Sequence, residues 1–203
     1  MKIYIVRHGQ TIWNEEGRMQ GSKNSSLTEK GIAEAKKLNS YIRDIKFDRI
    51  YTSPLGRTLE TMEHVKGDLD IPISRVDELQ EMDFGRFEGL VLDQLKEDYP
   101  EDMHKLWLDP QAYRNESGEN YEELFARVTR GLDKILARAG QEENVLLITH
   151  GVIISSILTM VKGKPLGEIW DTPVVRNTSL SILEYQEGGQ LELVAENMVE
   201  HLE

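Results

Sequence analysis

Apolar residues recur along this chain in two alternating rhythms: short unbroken runs, and longer stretches spaced at threes and fours. Residues 3–6 are β-branched and aromatic throughout and stop at Arg7, as a strand buried within a parallel sheet does. Residues 9–26 are polar and punctuated by glycine, which predicts a loop with an embedded helical turn. Thr28 is placed to cap a helix whose face carries Ile32, Ala35, Leu38, Asn39 and Ile42. Residues 48–52 read as a second strand, 56–65 as a second helix and 71–76 as a third strand. Tyr121, Leu124, Phe125, Val128, Leu132, Ile135 and Leu136 stripe one long amphipathic helix over 119–139. A very apolar strand at 144–149 is followed by a helix to about Lys162. Strands at 180–185 and 191–196 flank Glu187-Gly188-Gly189-Gln190, a hairpin signal.

The stretch from about 77 to 120 breaks the rhythm. It is acidic and aromatic, with Pro100 and Pro110 interrupting short helical pieces, and predicts a helical lid inserted over one end of the sheet. Alternating strands and helices with a late hairpin specify an α/β fold: a three-layer α/β/α sandwich around a mostly parallel sheet. No repeat, low-complexity tract or linker interrupts residues 1–203, which read as a single domain.

A net charge of −12 and a pI near 5.0 argue against nucleic acid or an anionic membrane as a partner. The same field repels anionic ligands, so any anion site has to be a local basic island. With no cysteine, disulfides and thiolate chemistry are excluded. The N-terminal run reaches Arg7 and His8 too soon for a signal sequence, and the longest apolar run, 152–161, contains two serines and is too short to span a membrane. A cytoplasmic, soluble protein is the expectation.

Two predicted strand ends carry the same signature. Ile5-Val6-Arg7-His8-Gly9 and Leu147-Ile148-Thr149-His150-Gly151 each run apolar residues into a histidine and then a glycine. Ligands of open parallel sheets bind beyond the carboxyl ends of the strands, so these histidines are expected to converge. A third strand end, Thr52-Ser53-Pro54-Leu55-Gly56-Arg57, sets Arg57 in the first turn of a helix. A cation there opposes the helix dipole and is better explained by an anionic ligand. Taken alone, each residue reads as structural; together they predict a site. His64, His104 and His201 lack such a setting and read as ordinary surface groups.

Arg7-His8-Gly9-Gln10-Thr11 with Trp13-Asn14 resembles the signature of the histidine phosphatase superfamily, which includes the cofactor-dependent phosphoglycerate mutases. The resemblance continues in order through Gly21, Leu27-Thr28, Gly31, Ala35, Thr52-Ser53-Pro54-Leu55 and Arg57. It then takes in Glu78-Leu79-Gln80-Glu81, Phe84-Gly85, Glu88-Gly89, Thr149-His150-Gly151 and Arg176-Asn177-Thr178-Ser179. It implies that His8 attacks phosphorus and becomes a phosphohistidine. Arg7, Arg57 and His150 would hold the phosphoryl oxygens with help from Asn14, and Glu81 would donate the proton, Glu78 being the second choice for that acid. The chemistry asks for these types in any case: a neutral nucleophile beside fixed cations, and an acid of raised pKa for the leaving alkoxide. Departures fall at Asn24 and Ser26, where an aspartate and a proline are usual, and at Thr58, where a small residue is usual. They are expected to touch packing and not mechanism.

The resemblance covers two outcomes, hydrolysis and mutase transfer. Phe84-Gly85-Arg86-Phe87-Glu88-Gly89 looks like the phosphatase version, and only Arg86 and Arg114 occur between Met82 and Asn120 to meet a substrate carboxylate. Trp107, Tyr113, Leu106 and Met103 suggest a partly apolar pocket or, equally, the ordinary core of the lid. The expectation is a phosphomonoester hydrolase acting on a small molecule, with a phosphoglycerate mutase as the alternative and a non-catalytic phospho-ligand module further behind. No cofactor and no metal are expected, since arginines beside both histidines disfavour a cation site. The sequence carries no sign of oligomeric state.

Overall fold

The computed structural model describes residues 1–203. Six strands form one sheet: β1 (Lys2–Arg7), β2 (Arg49–Thr52), β3 (Ile73–Arg75), β4 (Asn144–Thr149), β5 (Leu180–Tyr185) and β6 (Leu191–Met198). Their order is β3-β2-β4-β1-β5-β6; β1 to β4 run parallel, and β5 and β6 form the antiparallel edge. Seven helices accompany them: α1 (Ile12–Glu15), α2 (Glu29–Ile42), α3 (Gly56–Lys66), α4 (Leu92–Asp98), α5 (Pro100–Leu108), α6 (Tyr121–Leu136) and α7 (Gly151–Val161).

The unbroken apolar runs of β1 and β4 follow from a sheet covered on both faces. Alternate residues separate into two cores. Tyr4, Val6, Leu146 and Ile148 meet Ala35, Leu38, Ile42, Met62 and Val65 of α2 and α3. Ile3, Ile5, Val145 and Leu147 meet Leu124, Val128, Ile153 and Ile157 of α6 and α7. The chain steps outward from β1 to β2 to β3, then returns to β4 in the middle. Right-handed crossovers in opposite directions put their helices on opposite faces, which yields the three layers.

Most boundaries match the sequence reading, and the differences have physical causes. Thr28 caps α2 as expected, accepting from the Gly31 N–H at 3.0 Å. The third strand spans three residues instead of six, because an edge strand with one neighbour pairs only where β2 offers partners. The long helix starts later than expected, at Tyr121, where Asn120 and Glu123 form a capping box. Pro100 opens α5 at its first turn, a position that needs no N–H.

The 77–120 insertion contains two single-turn 3-10 helices, α4 and α5. Its Phe84, Phe87, Leu95, Met103, Leu106 and Tyr113 are buried in the same core as α6 and α7, so the apolar side of the insertion is packed into the molecule. Met103, Leu106 and Tyr113 are therefore core residues; of the four expected at an apolar pocket, only Trp107 lines one. His201 is also corrected: it is 8% exposed, and its Nε2 lies 3.0 Å from the Thr178 carbonyl. No helix is long and apolar enough to cross a membrane.

Candidate active site

Three neighbouring strand ends deliver the site residues. Arg7 of β1 pairs in register with Thr149 of β4, so His8 and His150 leave the sheet side by side. Their ring centroids are 5.3 Å apart, and both side chains are buried. β2, on the other side of β4, leads through Ser53 to Arg57 in the first turn of α3.

The His8 Nδ1 lies 2.8 Å from the Gly9 carbonyl oxygen. A carbonyl only accepts, so this bond assigns the ring hydrogen to Nδ1 and leaves the lone pair on Nε2. Burial, followed by the Arg57 and Arg7 charges, holds the imidazole well below its ordinary pKa of 6.5. His8 is thus a neutral imidazole beside two cations.

The backbone around it is pinned from three directions. Its N–H donates to the Thr149 carbonyl at 2.9 Å, and its carbonyl accepts from Asn177 Nδ2 at 3.1 Å. The Gly9 N–H donates to Thr61 Oγ1 at 2.9 Å, and that hydroxyl donates to the Arg57 carbonyl at 2.7 Å. The start of α2 presses on the same loop: a side chain at Gly31 would bring its Cβ within 2.2 Å of the Gln10 carbonyl oxygen, which only glycine avoids. Thr178, at φ 58, holds a left-handed backbone uncommon for a β-branched residue. Its N–H donates to the carbonyls of Arg7 (3.1 Å) and His8 (3.4 Å).

Arg57 is fully buried, and burial brings its pKa down to about 10, still cationic at neutral pH. Its guanidinium donates to the carbonyls of Lys23 (2.6 Å) and Gly21 (2.7 Å). The loop that bears those carbonyls is fixed in turn by Glu88, which accepts from the Ser22 N–H and hydroxyl, the Lys23 N–H and the Phe84 N–H at 2.7 to 3.2 Å. Asn24, at one of the departures from the family pattern, accepts the Arg57 N–H at 2.7 Å and so caps α3. The Thr58 hydroxyl at another departure is buried and satisfied, donating to the Ser53 and Leu55 carbonyls. Arg7 donates through Nη1 to the Val175 carbonyl at 2.6 Å. Asn14 accepts from Thr11 and Asn177 through Oδ1, which orients its side chain.

Three buried nitrogens in this cluster have no hydrogen-bond partner within the chain: Arg7 Nε, Arg57 Nε and His150 Nδ1. Ser53 Oγ bonds His150 Nε2 at 2.8 Å, and burial, followed by the Arg57 charge, lowers the pKa of this ring; where the Ser53 hydroxyl donates, the neutral ring carries its hydrogen on Nδ1. Buried donors are almost always satisfied, and these groups, brought together by three neighbouring strands, are able to receive the oxygens of an anion.

Glu81 is buried beside them. Its two oxygens accept the N–H groups of Met82 (3.0 Å) and Val152 (3.3 Å), the latter in the first turn of α7. Burial raises its pKa above 4.5 even though Arg57, these two N–H groups and Arg7 oppose it. Glu78, the second choice for an acid, is instead held low by its ion pair with Lys134. Asp83 caps the Gly85 N–H at 2.7 Å, as a capping group should. Glu81 and Arg7 sit together in the wall of a cavity of about 440 Å³ whose other walls include Trp107, Trp170, Pro173 and Val174. The two tryptophan rings lie 4.6 Å apart. Arg86 and Arg114 line a different cavity and do not reach this one.

Every predicted site residue (Arg7, His8, Asn14, Arg57, Glu81 and His150) therefore belongs to one neighbourhood. Sequence reasoning assigned no role to Ser53, Asn177, Thr178 or Glu88, although all four stand within the ordered motifs, and Trp170 carried no signal.

Comparison with known proteins agrees with this geometry. Residues 3–197 match the family model described as histidine phosphatase superfamily (branch 1). The chain is 32% identical over 185 residues to a Bacillus subtilis (strain 168) protein named uncharacterized phosphatase PhoE, covering 91% of this chain and 89% of that one. It is 33% identical over 189 residues to the probable phosphoglycerate mutase GpmB of Salmonella choleraesuis (strain SC-B67), covering 92% of this chain and 86% of that one. The solved structure of Bacillus stearothermophilus YhfR superposes with a TM-score of 0.95 at 36% identity, over 100% of this chain and 99% of that one. The chain belongs to branch 1 of the histidine phosphatase superfamily.

Proposed function

We propose that this chain is a phosphomonoester hydrolase working through a phosphohistidine on His8. The observation that carries the reading is the neutral His8 ring, its Nε2 lone pair left free, among three buried nitrogens that lack a partner.

In the first step the Nε2 lone pair attacks phosphorus and the ester P–O bond breaks. Glu81, its pKa raised by burial, gives its proton to the departing alkoxide. Arg7, Arg57 and the Nδ1 hydrogen of His150 receive the phosphoryl oxygens, with Asn14 alongside. Charge in phosphoryl transfer spreads over those oxygens, and one well-aimed donor is worth about 3 kcal/mol in the transition state. In the second step water attacks phosphorus, Glu81 takes the water's proton, and the P–N bond breaks to return the electron pair to His8 as inorganic phosphate leaves.

The relatives' names divide between phosphatase and mutase, so the preference for hydrolysis rests on the cavity. Arg7 is the one cation in its wall, and Arg7 is already assigned to the phosphoryl group. A phosphoglycerate carboxylate would need a further cation, whereas Trp107, Trp170, Pro173 and Val174 suit an uncharged, apolar or aromatic leaving group. A small-molecule monoester of that kind is the substrate class that fits. A chain without cysteine needs no oxidising compartment, and we take the cytoplasm as its place of action.

A turnover screen across aryl, alkyl, sugar and carboxylate-bearing monoesters, with and without 2,3-bisphosphoglycerate, tests the proposal. Release of inorganic phosphate, fastest from aryl and apolar esters, is the expected result. Isomerised 3-phosphoglycerate without free phosphate would overturn it in favour of the mutase.

A further inference from the structure

The four consecutive carbonyls of residues 78–81 are all held by side chains from other elements. The Leu79 carbonyl accepts from Thr149 Oγ1 at 2.8 Å, which ties it to the end of β4. The other three converge on a single side chain of α6. Arg127 donates through Nη1 to the carbonyls of Glu78 (2.6 Å) and Gln80 (2.9 Å), and its Nη2 reaches the Glu81 carbonyl at 3.5 Å.

The guanidinium is itself held in a fork by Glu119, from Nε to Oε1 at 2.7 Å and from Nη2 to Oε2 at 2.6 Å. The Glu119 N–H donates to the Asp83 carbonyl at 2.8 Å, so the far end of the insertion closes on the segment that follows Glu81. Two bidentate partners, carboxylate on one edge and carbonyls on the other, use the planar geometry of arginine; a lysine ammonium lacks that fork. The approach depends on Gly131, one turn further along the same face of α6: a Cβ there would lie 2.7 Å from Leu79 Cδ2 and 3.1 Å from Glu78 Cβ.

We infer that Arg127, locked by Glu119, is a positioning residue that sets the place of the Glu81 carboxyl against the leaving group. It makes no hydrogen bond to Arg7, Arg57 or the His8 ring, although its charge is felt at His150. Its hydrogen bonds all run to Glu119 and to the backbone at 78, 80 and 81. A carboxyl displaced by an ångström loses much of its ability to protonate an alkoxide, a cost on the order of a hundredfold. The attack of His8 on phosphorus is untouched by that displacement. Arg127 therefore matters in proportion to how poor the leaving group is. This inference rests on the reading of Glu81 as the proton donor.

The test compares Arg127→Met and Arg127→Lys with Glu81→Gln and the double variant, on 4-nitrophenyl phosphate and on an alkyl phosphate. Arg127→Met is expected to lose alkyl phosphate turnover about tenfold or more beyond its loss on the aryl ester, chiefly in kcat. Lysine is expected to rescue little of it. Adding Arg127→Met to Glu81→Gln is expected to cause little further selective loss, because the acid whose placement it sets is gone.

Equal losses on both esters, or a selective loss undiminished in the Glu81→Gln background, overturn the positioning role. If Glu81→Gln itself shows no leaving-group selectivity, the donor reading falls and the inference with it; a selective Glu81→Gln beside an unselective Arg127→Met removes the inference alone. Should Arg127→Met fail to fold, Glu119→Gln, which breaks the fork but keeps the arginine, is expected to show the same selectivity at smaller size, and its absence is equally decisive.

Discussion

His8 and His150 stand edge to face, 5.3 Å between ring centroids, and the same two guanidinium groups, those of Arg57 and Arg7, depress the basicity of both. This ties stability to pH. Each imidazole has a folded pKa well below 6.5, so on acidification the unfolded chain takes up protons that the folded chain refuses. The stability these groups support is present above 6.5 and is lost as pH falls through that value toward the folded pKa. Glu81 has the opposite sign: its raised pKa favours folding below 4.5, and that contribution is lost as pH rises through its folded value. The two histidines are expected to dominate, so urea midpoints should fall between about pH 7.5 and pH 5, and fall more steeply in Glu81→Gln. A flat midpoint over that range would contradict the pKa assignment.

His8→Ala is expected to abolish turnover of aryl and alkyl phosphates alike while the protein remains folded. Rapid alkaline quench of wild type with radiolabelled substrate should trap an acid-labile, base-stable phosphoenzyme, and the variant should trap none. Label retained by the variant would move the nucleophile elsewhere.

Glu81→Gln keeps the shape of the side chain and removes its proton. Turnover of alkyl esters should drop by about a hundredfold or more, the usual scale of a general acid, and that of aryl esters by much less, since a phenolate leaves without help. The raised Glu81 pKa also predicts that alkyl turnover declines on the alkaline side as the carboxyl ionises, and that this limb disappears in the variant. Equal losses on the two ester types would remove Glu81 as the acid.

Glu88→Gln reports on Arg57 instead. The carboxylate accepts from Ser22, Lys23 and Phe84, and an amide presents one acceptor oxygen where the carboxylate presents two. Leaving buried donors unpaired costs about 1–3 kcal/mol, and loosening the loop that holds Arg57 should weaken inhibition by inorganic phosphate and vanadate several-fold. The effect should be the same for every leaving group, which separates it from Glu81. Unaltered phosphate inhibition would show that Arg57 keeps its place without Glu88.

The fold was legible because both of its periodicities are local: the apolar runs of β1 and β4, and the stripe from Tyr121 to Leu136. His8, His150 and Arg57 were legible because each sits directly after a strand, where topology brings ligands. Their supports were not. Asn177 reaches the His8 carbonyl across 169 positions and Ser53 reaches His150 across 97, and no spacing rule spans such distances. His201 was misread for the same reason, since its burial comes from Thr178 and from the Tyr41 ring at 5.4 Å. Met103, Leu106 and Tyr113 have the composition of a pocket wall, and only packing against α6 and α7 makes them core.

The placement of β1 between β4 and β5 has a consequence for how the enzyme comes into being. Ile3 pairs with Val145 on one side and Leu183 on the other, so β1 is flanked only once strands far along the chain are in place. Contacts so distant along the chain form late, after the entropy of closing long loops has been met. A nascent chain stopped short of Leu180 would carry the nucleophile without the neighbour that completes its surroundings. Competence for phosphoryl transfer thus waits on β4 and β5 and reports that residues far apart along the chain have come together.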